Sequence, residues 1–264
     1  MERLLVLRLE VANCTAQASL NGIPLIRSSG ARANVTLPVH EFTLAGANEL
    51  ALEIGPALPG QPAAPAARLS DGQTGASLRL LLPRVGSVAD AAHARCLAQL
   101  EWAPARDEPY ETPTTLQTQV DLPIQFPRWR WLDVLPVEVD ARLTLEAARY
   151  LTRIVAAMAR GDVDPLLMAS RLRLEEQALA YQRDLTETVA SARTQLAAIC
   201  AGGAFKPRLV SPPELLLRPV AGGRLLECLR ADGGPAIQGT LAEGHRFEWP
   251  ARLTRVDGAL YVLR

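Results

Sequence analysis

Acid–base and metal chemistry most often recruit histidine, and this chain contains three histidines. His40, His93 and His245 lie far apart in the sequence, and no two of them have the spacing that places a pair on one helical face. His245 has the densest carboxylate neighbourhood, with Glu243 and Glu248. That cluster falls at a predicted turn, where charged side chains are usually solvated, so the histidines predict neither a metal site nor a catalytic base.

Nucleophilic chemistry has few candidates. Cys96 follows His93 by three residues, and the two would share a face only if residues 89–96 formed a short helix. Lys206 is the only lysine, so apart from the N-terminus it is the only residue able to form a Schiff base. The chain has no Gly-x-Ser-x-Gly elbow and no phosphate-binding glycine loop. The cysteines form no Cys-x-x-Cys pair and are predicted to be buried free thiols: Cys14, Cys96, Cys200 and Cys228.

Charge and hydropathy restrict the partners that the chain can have. The 264 residues include 28 basic and 28 acidic side chains, so the formal net charge is zero. A neutral chain lacks the field that recruits nucleic acid or anionic lipid. No apolar run approaches the roughly 18 residues of a membrane span, and Arg8 and Glu10 interrupt the apolar N-terminus, which favours a strand over a secretory leader. We therefore predict a cytoplasmic protein without nucleic-acid or membrane partners and without a cofactor.

Residues 1–103 carry the pattern of an antiparallel β-sandwich. Asn21-Gly22 between two apolar runs predicts a hairpin with a type I′ turn, and the turn at Gly46 leads into the alternating strand 49–54. The Pro/Ala/Gly-rich stretch 55–65 is predicted to be a loop between sandwich strands. This order of hairpin, strand and Leu-x-x-Gly-x-Asn-x-Leu-x-Leu-x-Ile resembles the galactose-binding-like jelly roll. The resemblance implies a β-sandwich and, as one alternative function, a carbohydrate-binding accessory module.

Residues 104–137 are rich in Pro, Asp, Glu and Thr and are predicted to connect two domains. They contain the alternation Trp129-Arg130-Trp131. In an extended segment the two rings would point one way and the guanidinium group the other. Two interpretations stay open: the rings dock the connector onto a domain, or the three residues anchor a protein partner, since Trp and Arg are enriched at interface hot spots.

Residues 138–264 are predicted to form a helical segment followed by a β-meander. Helical periodicity begins at Asp140, and a break is expected near Ser170. A heptad-like stripe between Leu185 and Ile199 predicts packing within the chain or, alternatively, a helix-mediated dimer. Glycine-containing turns at roughly ten-residue spacing then predict the meander. Helices followed by a meander resemble the nuclear-transport-factor-2-like fold, which implies a pocket between helices and sheet, with candidate lining residues Tyr150, Tyr181 and Glu175.

The whole pattern predicts an α+β protein with an N-terminal antiparallel β-sandwich and a helical segment packed on a C-terminal antiparallel β-meander. The leading functional hypothesis is a non-enzymatic binding protein, such as a bacterial accessory or immunity-type protein, whose partner is another protein. The alternatives are a small-molecule or enzymatic pocket in the C-terminal half and the carbohydrate-binding module. Fold alone does not select among these functions.

Overall fold

The structure is a computed structural model, and it describes residues 4–57, 61, 65–83, 94–201, 205–241 and 244–264. The described chain divides into two compact units: an N-terminal unit that ends at Arg128 and a C-terminal unit that runs from Trp129 to Arg264. The first consists of antiparallel sheets, and the second combines four helices with further antiparallel strands. The predicted α+β fold class is confirmed.

Two four-stranded antiparallel sheets and one short strand pair make up the N-terminal unit. Its strands are β1 (Val6–Ala12), β2 (Cys14–Leu20), β3 (Ile23–Gly30), β4 (Ala33–Pro38), β5 (Gly46–Ile54), β6 (Ala66–Leu69), β7 (Gly75–Pro83), β8 (Ala94–Trp102), β9 (Pro109–Thr112) and β10 (Thr114–Leu122). The sheets have the orders β4-β1-β7-β8 and β10-β5-β2-β3, while β6 pairs with β9.

Alternating burial explains why these segments form strands of a sandwich. Along β5 the side chains of Leu50, Leu52 and Ile54 are buried, and the residues between them are partly exposed. Along β1, Leu7 and Leu9 are buried in the same alternating way. A period of two places the apolar residues of each strand on one face of its sheet, where they form the core.

Two turn asparagines join the hairpin to the neighbouring strand. Asn21 and Gly22 both have positive φ, 53° and 71°, as the predicted type I′ turn requires. The Asn21 side-chain amide donates to Asn48 Oδ1 at 2.9 Å, and Asn21 Oδ1 accepts the Glu49 backbone N–H at 3.0 Å. These side chains therefore have a structural role in closing the turns.

The predicted connector differs from the structure over its first half. Within residues 104–137, β10 pairs with β5 in an unbroken register from Thr114 opposite Ile54 to Leu122 opposite Gly46. The residues of β10 that point away from the core are polar and exposed. A half-exposed strand that contains Thr and Gln has the composition of a linker. Its pairing with β5 is what identifies this segment as a strand.

The helices of the C-terminal unit are α1 (Ala141–Met158), α2 (Asp164–Ala169), α3 (Arg171–Ala180) and α4 (Leu185–Cys200). The carboxylates of Asp140 and Asp184 cap α1 and α4 by accepting backbone N–H groups of the first turn. The expected break at Ser170 separates α2 from α3. A second interruption, which includes Gln182 at φ 52°, was not predicted. Helix α4 packs against α2 and α3, and a dimer contact stays a prediction.

The C-terminal strands form two antiparallel sheets, with orders β12-β13-β16-β17 and β11-β14-β15. The strands are β11 (Lys206–Pro207), β12 (Leu215–Val220), β13 (Leu225–Arg230), β14 (Ile237–Thr240), β15 (Arg246–Trp249), β16 (Arg252–Val256) and β17 (Ala259–Val262). Buried residues of α1, α2 and these strands share one core, which includes Leu151, Ile154, Leu226 and Leu253. Among the described residues, no helix combines the length and the apolar character needed to cross a membrane.

Candidate functional site

The Trp-Arg-Trp motif begins the C-terminal unit, and both of its rings are buried. Trp129 is 0% exposed and Trp131 is 3% exposed, because residues 130–132 form a 3₁₀ turn instead of an extended segment. The guanidinium carbon of Arg264 lies 5.6 Å from the centroid of the Trp129 ring. The structure contradicts the surface-anchor interpretation for the two rings. Arg130, which is only partly buried, is the one residue of the motif that a partner can reach.

A buried carboxylate holds this motif in place. Glu176 on α3 accepts the Arg130 backbone N–H at 2.8 Å through Oε1, and its Oε2 accepts a hydrogen bond from the Arg264 guanidinium group. The side chains of Glu176 and Arg264 are 5% and 1% exposed. Three separate parts of the sequence therefore meet at one charge-paired cluster, which we call the Glu176 cluster: Trp129, Arg130, Glu176 and Arg264. Glu176 thus joins the Trp-Arg-Trp motif to Arg264 inside the C-terminal unit, which is a structural role.

The three predicted pocket residues lie in different environments. Glu175 forms an ion pair with Arg130 at 2.7 Å, and the ring of Tyr181 packs beneath the guanidinium group of Arg183. Tyr150 is half-buried on α1 and packs against the core of the C-terminal unit. The structure thus does not assemble Tyr150, Tyr181 and Glu175 into one site.

Burial makes Tyr150 a probe of the C-terminal unit. Desolvation, with a smaller contribution from nearby Tyr261, raises the pKa of Tyr150 from 10.0 to about 12. The unfolded chain releases this proton first, so between pH 10 and about 12 the unfolded state binds fewer protons and the free energy of unfolding falls as pH rises. Urea unfolding across this window should show that fall, and Tyr150→Phe should weaken it. Parallel curves for the two proteins would contradict this assignment.

The candidate site is a groove of about 1050 Å³ along α1. One wall is the part of α1 between Arg142 and Arg153, and the other is the segment 209–214. The Thr152 hydroxyl donates to the Val210 carbonyl at 3.0 Å and joins the two walls. The apolar lining comprises Leu145, Ala148, Leu209, Val210 and Pro212.

Three arginines of α1 line the groove and have no partner within the part of the chain that the structure describes. Arg142, Arg149 and Arg153 are exposed, and none of them forms an ion pair or hydrogen bond with any residue that the structure describes. Their separations of seven and four residues place them within one stripe of the helix. The groove therefore has one positively charged edge beside an apolar lining.

Both carboxylates of the groove are already engaged. Glu146 forms an ion pair with Arg255 at 2.8 Å. Glu214 Oε2 accepts the Ser211 hydroxyl at 2.7 Å and the Ser211 backbone N–H at 3.1 Å, and these bonds lower the pKa of Glu214 below its ordinary value. Neither carboxylate neutralises the arginine stripe.

The other sequence candidates that the structure describes do not line this groove. His40 is buried in the N-terminal unit, where its Nε2 accepts the Leu5 backbone N–H at 2.8 Å. His245 is exposed, while Glu243 and His93 lie outside the described residues. Cys96 is exposed on β8, which corrects the expectation that all four thiols are buried. Lys206 is exposed on β11. Within the described residues, no group of three or more His, Cys, Asp or Glu side chains has an arrangement that could hold a metal ion.

Sequence reasoning overlooked the arginine stripe. Its signal is present in the sequence as Arg142, Arg149 and Arg153 at helical spacing, opposite the apolar face that identified α1. Arginines on an exposed helix face are ordinary, however, and the segment that forms the second wall lies almost sixty residues further along the chain. Only the fold shows that these arginines border an apolar groove.

Comparison with known proteins gives no relative: no family model, no curated protein and no solved structure matches the chain. The resemblances to the galactose-binding-like and nuclear-transport-factor-2-like folds therefore remain predictions from sequence motifs.

Proposed function

We propose that this protein is a non-enzymatic binding protein that holds a segment of another protein in the α1 groove. The single observation that carries this proposal is the combination, along one helix, of apolar lining and arginines that have no ion pair or hydrogen bond with the described residues. Leu145 and Leu209 are 38% and 52% exposed at this groove. Apolar side chains beside arginines suit a protein-binding surface, since the buried core of an interface is more apolar than its rim and arginine is enriched at interfaces and their hot spots.

The polar groups in the groove support binding over catalysis. The Thr152 hydroxyl donates to Val210 and the Ser211 hydroxyl donates to Glu214, so both hydroxyls are engaged in internal hydrogen bonds. A nucleophile needs a base positioned to accept its proton, and the carboxylate beside Ser211 has a lowered pKa, which makes it a weak base. These engaged groups support recognition over catalysis as the proposed chemistry of the groove.

Site-specific photo-crosslinking tests this function. A benzophenone amino acid in place of Leu209 is expected to form an adduct with a defined protein in an extract of the source organism. The adduct should be lost when Arg149→Glu and Arg153→Glu are introduced together, because two ion pairs with the partner become repulsive. Unchanged cross-linking in that double variant would contradict the proposal.

Two matched controls make the result specific. Arg160→Glu reverses the charge of an exposed arginine that follows α1 outside the groove, and it should leave the adduct intact. The same photoreactive residue at Met168, which is 66% exposed on α2, should not capture the same protein. Capture of the same proteins from both positions would indicate nonspecific contact and would count against the groove.

A further inference from the structure

We propose that the segment held in the groove is acidic and amphipathic, with apolar side chains on the groove lining and carboxylates paired to Arg142, Arg149 and Arg153. This inference rests on the proposed function and adds the chemistry of the partner. The charge of the groove carries it, because the three guanidinium groups have no ion pair with any part of the chain that the structure describes. Carboxylates are the side chains that pair with arginine in two parallel hydrogen bonds.

The length of the arginine stripe selects a chain over a small anion. Arg142 and Arg153 are eleven residues apart on α1, which corresponds to about 16 Å at a helical rise of about 1.5 Å per residue. One carboxylate or one phosphate group cannot contact both ends of such a stripe. A segment with acidic residues distributed along a similar length can engage all three arginines at once.

The lining of the groove favours an acidic peptide over a nucleic acid. Single-stranded nucleic acids bind where aromatic rings stack on their bases. The described residues that line this groove include no aromatic side chain. An amphipathic peptide uses the lining differently, because its apolar side chains cover Leu145 and Leu209 while its carboxylates reach the arginines of α1.

The groove is also held in shape before a partner binds. The bond between Thr152 and Val210 joins its walls, and the bonds between Ser211 and Glu214 fix the turn at the end of the second wall. A preformed site loses less conformational entropy on binding, so modest charge pairs translate into measurable affinity.

Selection from a random library of displayed peptides on the full chain tests the inference. Peptides retained by the wild-type protein are expected to contain more Asp and Glu than Lys and Arg, together with apolar residues. A synthetic copy of the most enriched peptide should bind about tenfold or more weakly to the variant with Arg142→Gln, Arg149→Gln and Arg153→Gln, since three charge pairs are lost. Raising the salt concentration should weaken binding to the wild type, because these pairs are exposed.

The controls separate this inference from the proposed function. Arg160→Gln removes one exposed arginine outside the groove and should bind the peptide as the wild type does. Equal unfolding midpoints for the triple variant and the wild type would show that the fold is intact. Retained peptides without an acidic bias would overturn the inference, and so would a selection that retains no peptide. Tighter binding of a single-stranded oligonucleotide or of inorganic polyphosphate than of the enriched peptide would also overturn it. A neutral segment cross-linked at residue 209 would overturn the inference while leaving the proposed function standing.

Discussion

Replacing Trp129 by Ala is expected to destabilise the C-terminal unit by about 3–5 kcal/mol. The ring is 0% exposed, so its removal leaves a cavity and withdraws a large apolar surface from the core. It also removes the aromatic face beneath the Arg264 guanidinium group, a contact between a buried charge and a ring. Chemical denaturation of the full chain measures the effect, which should appear as a lower midpoint for the transition of the C-terminal unit.

A control in the same segment distinguishes core packing from partner binding. Leu135 is 81% exposed, and Leu135→Ala should change the free energy of unfolding by no more than about 0.5 kcal/mol. Trp129→Phe keeps an aromatic ring and should lie between the wild type and Trp129→Ala. If Trp129→Ala retained full stability and lost only partner binding, the ring would be a surface anchor and the burial described above would be wrong.

Replacing Glu176 by Ala is expected to have an effect of similar size, about 3–5 kcal/mol. Glu176 accepts hydrogen bonds from the Arg130 backbone and from the Arg264 guanidinium group. Its loss removes the carboxylate that compensates a guanidinium group only 1% exposed. A buried charge deprived of its counter-ion costs far more than the intact pair contributes, so the C-terminal unit should unfold at markedly lower denaturant concentration.

The neighbouring glutamate provides a matched control for this prediction. Glu175 pairs with Arg130 at 2.7 Å, but the two side chains are 36% and 41% exposed. Solvent screening limits such a pair to about 1 kcal/mol or less, so Glu175→Ala should be nearly neutral. Equal destabilisation by Glu175→Ala and Glu176→Ala would refute the distinction between the exposed and the buried pair.

The two kinds of arginine in the C-terminal unit have different tasks. Arg264 is buried and forms an ion pair with Glu176, and we expect substitution of Glu176 to destabilise the fold. Arg149 and Arg153 are exposed beside the groove, and their substitution should change binding while stability stays near that of the wild type. Stability and binding measured on the same set of variants would therefore separate the Glu176 cluster from the α1 groove.

Local sequence signals predicted much of the fold. The Asn21-Gly22 turn has two positive φ angles, and so does Asp257-Gly258, which is one of the glycine-containing turns that predict the C-terminal meander. The predicted start of the helical region at Asp140 corresponds to a side-chain cap of α1. Each of these features depends on residues within one turn of each other, so backbone geometry and side-chain type are sufficient to specify them.

Signals that depend on distant pairing were misinterpreted. The Pro, Asp, Glu and Thr content of residues 104–137 predicts a connector, but β10 lies within this range and pairs with residues of β5 that are 60 to 76 positions earlier in the sequence. The predicted pocket residues lie in separate environments for a similar reason. Tyr150 and Glu175 lie on helices and Tyr181 directly follows α3, but nothing in their spacing specifies which faces of separate helices meet.

The sequence by itself determined the α+β composition, the hairpin turns and the helix starts, because these follow from short-range periodicity and backbone preference. Only the tertiary structure decided which charges are buried and which remain available. The hydrogen bonds of Glu176 join residues 46 and 88 positions apart, and they make one glutamate part of the core while its neighbour stays exposed. The α1 groove likewise depends on a wall formed by residues 209–214, whose approach to α1 no local pattern encodes.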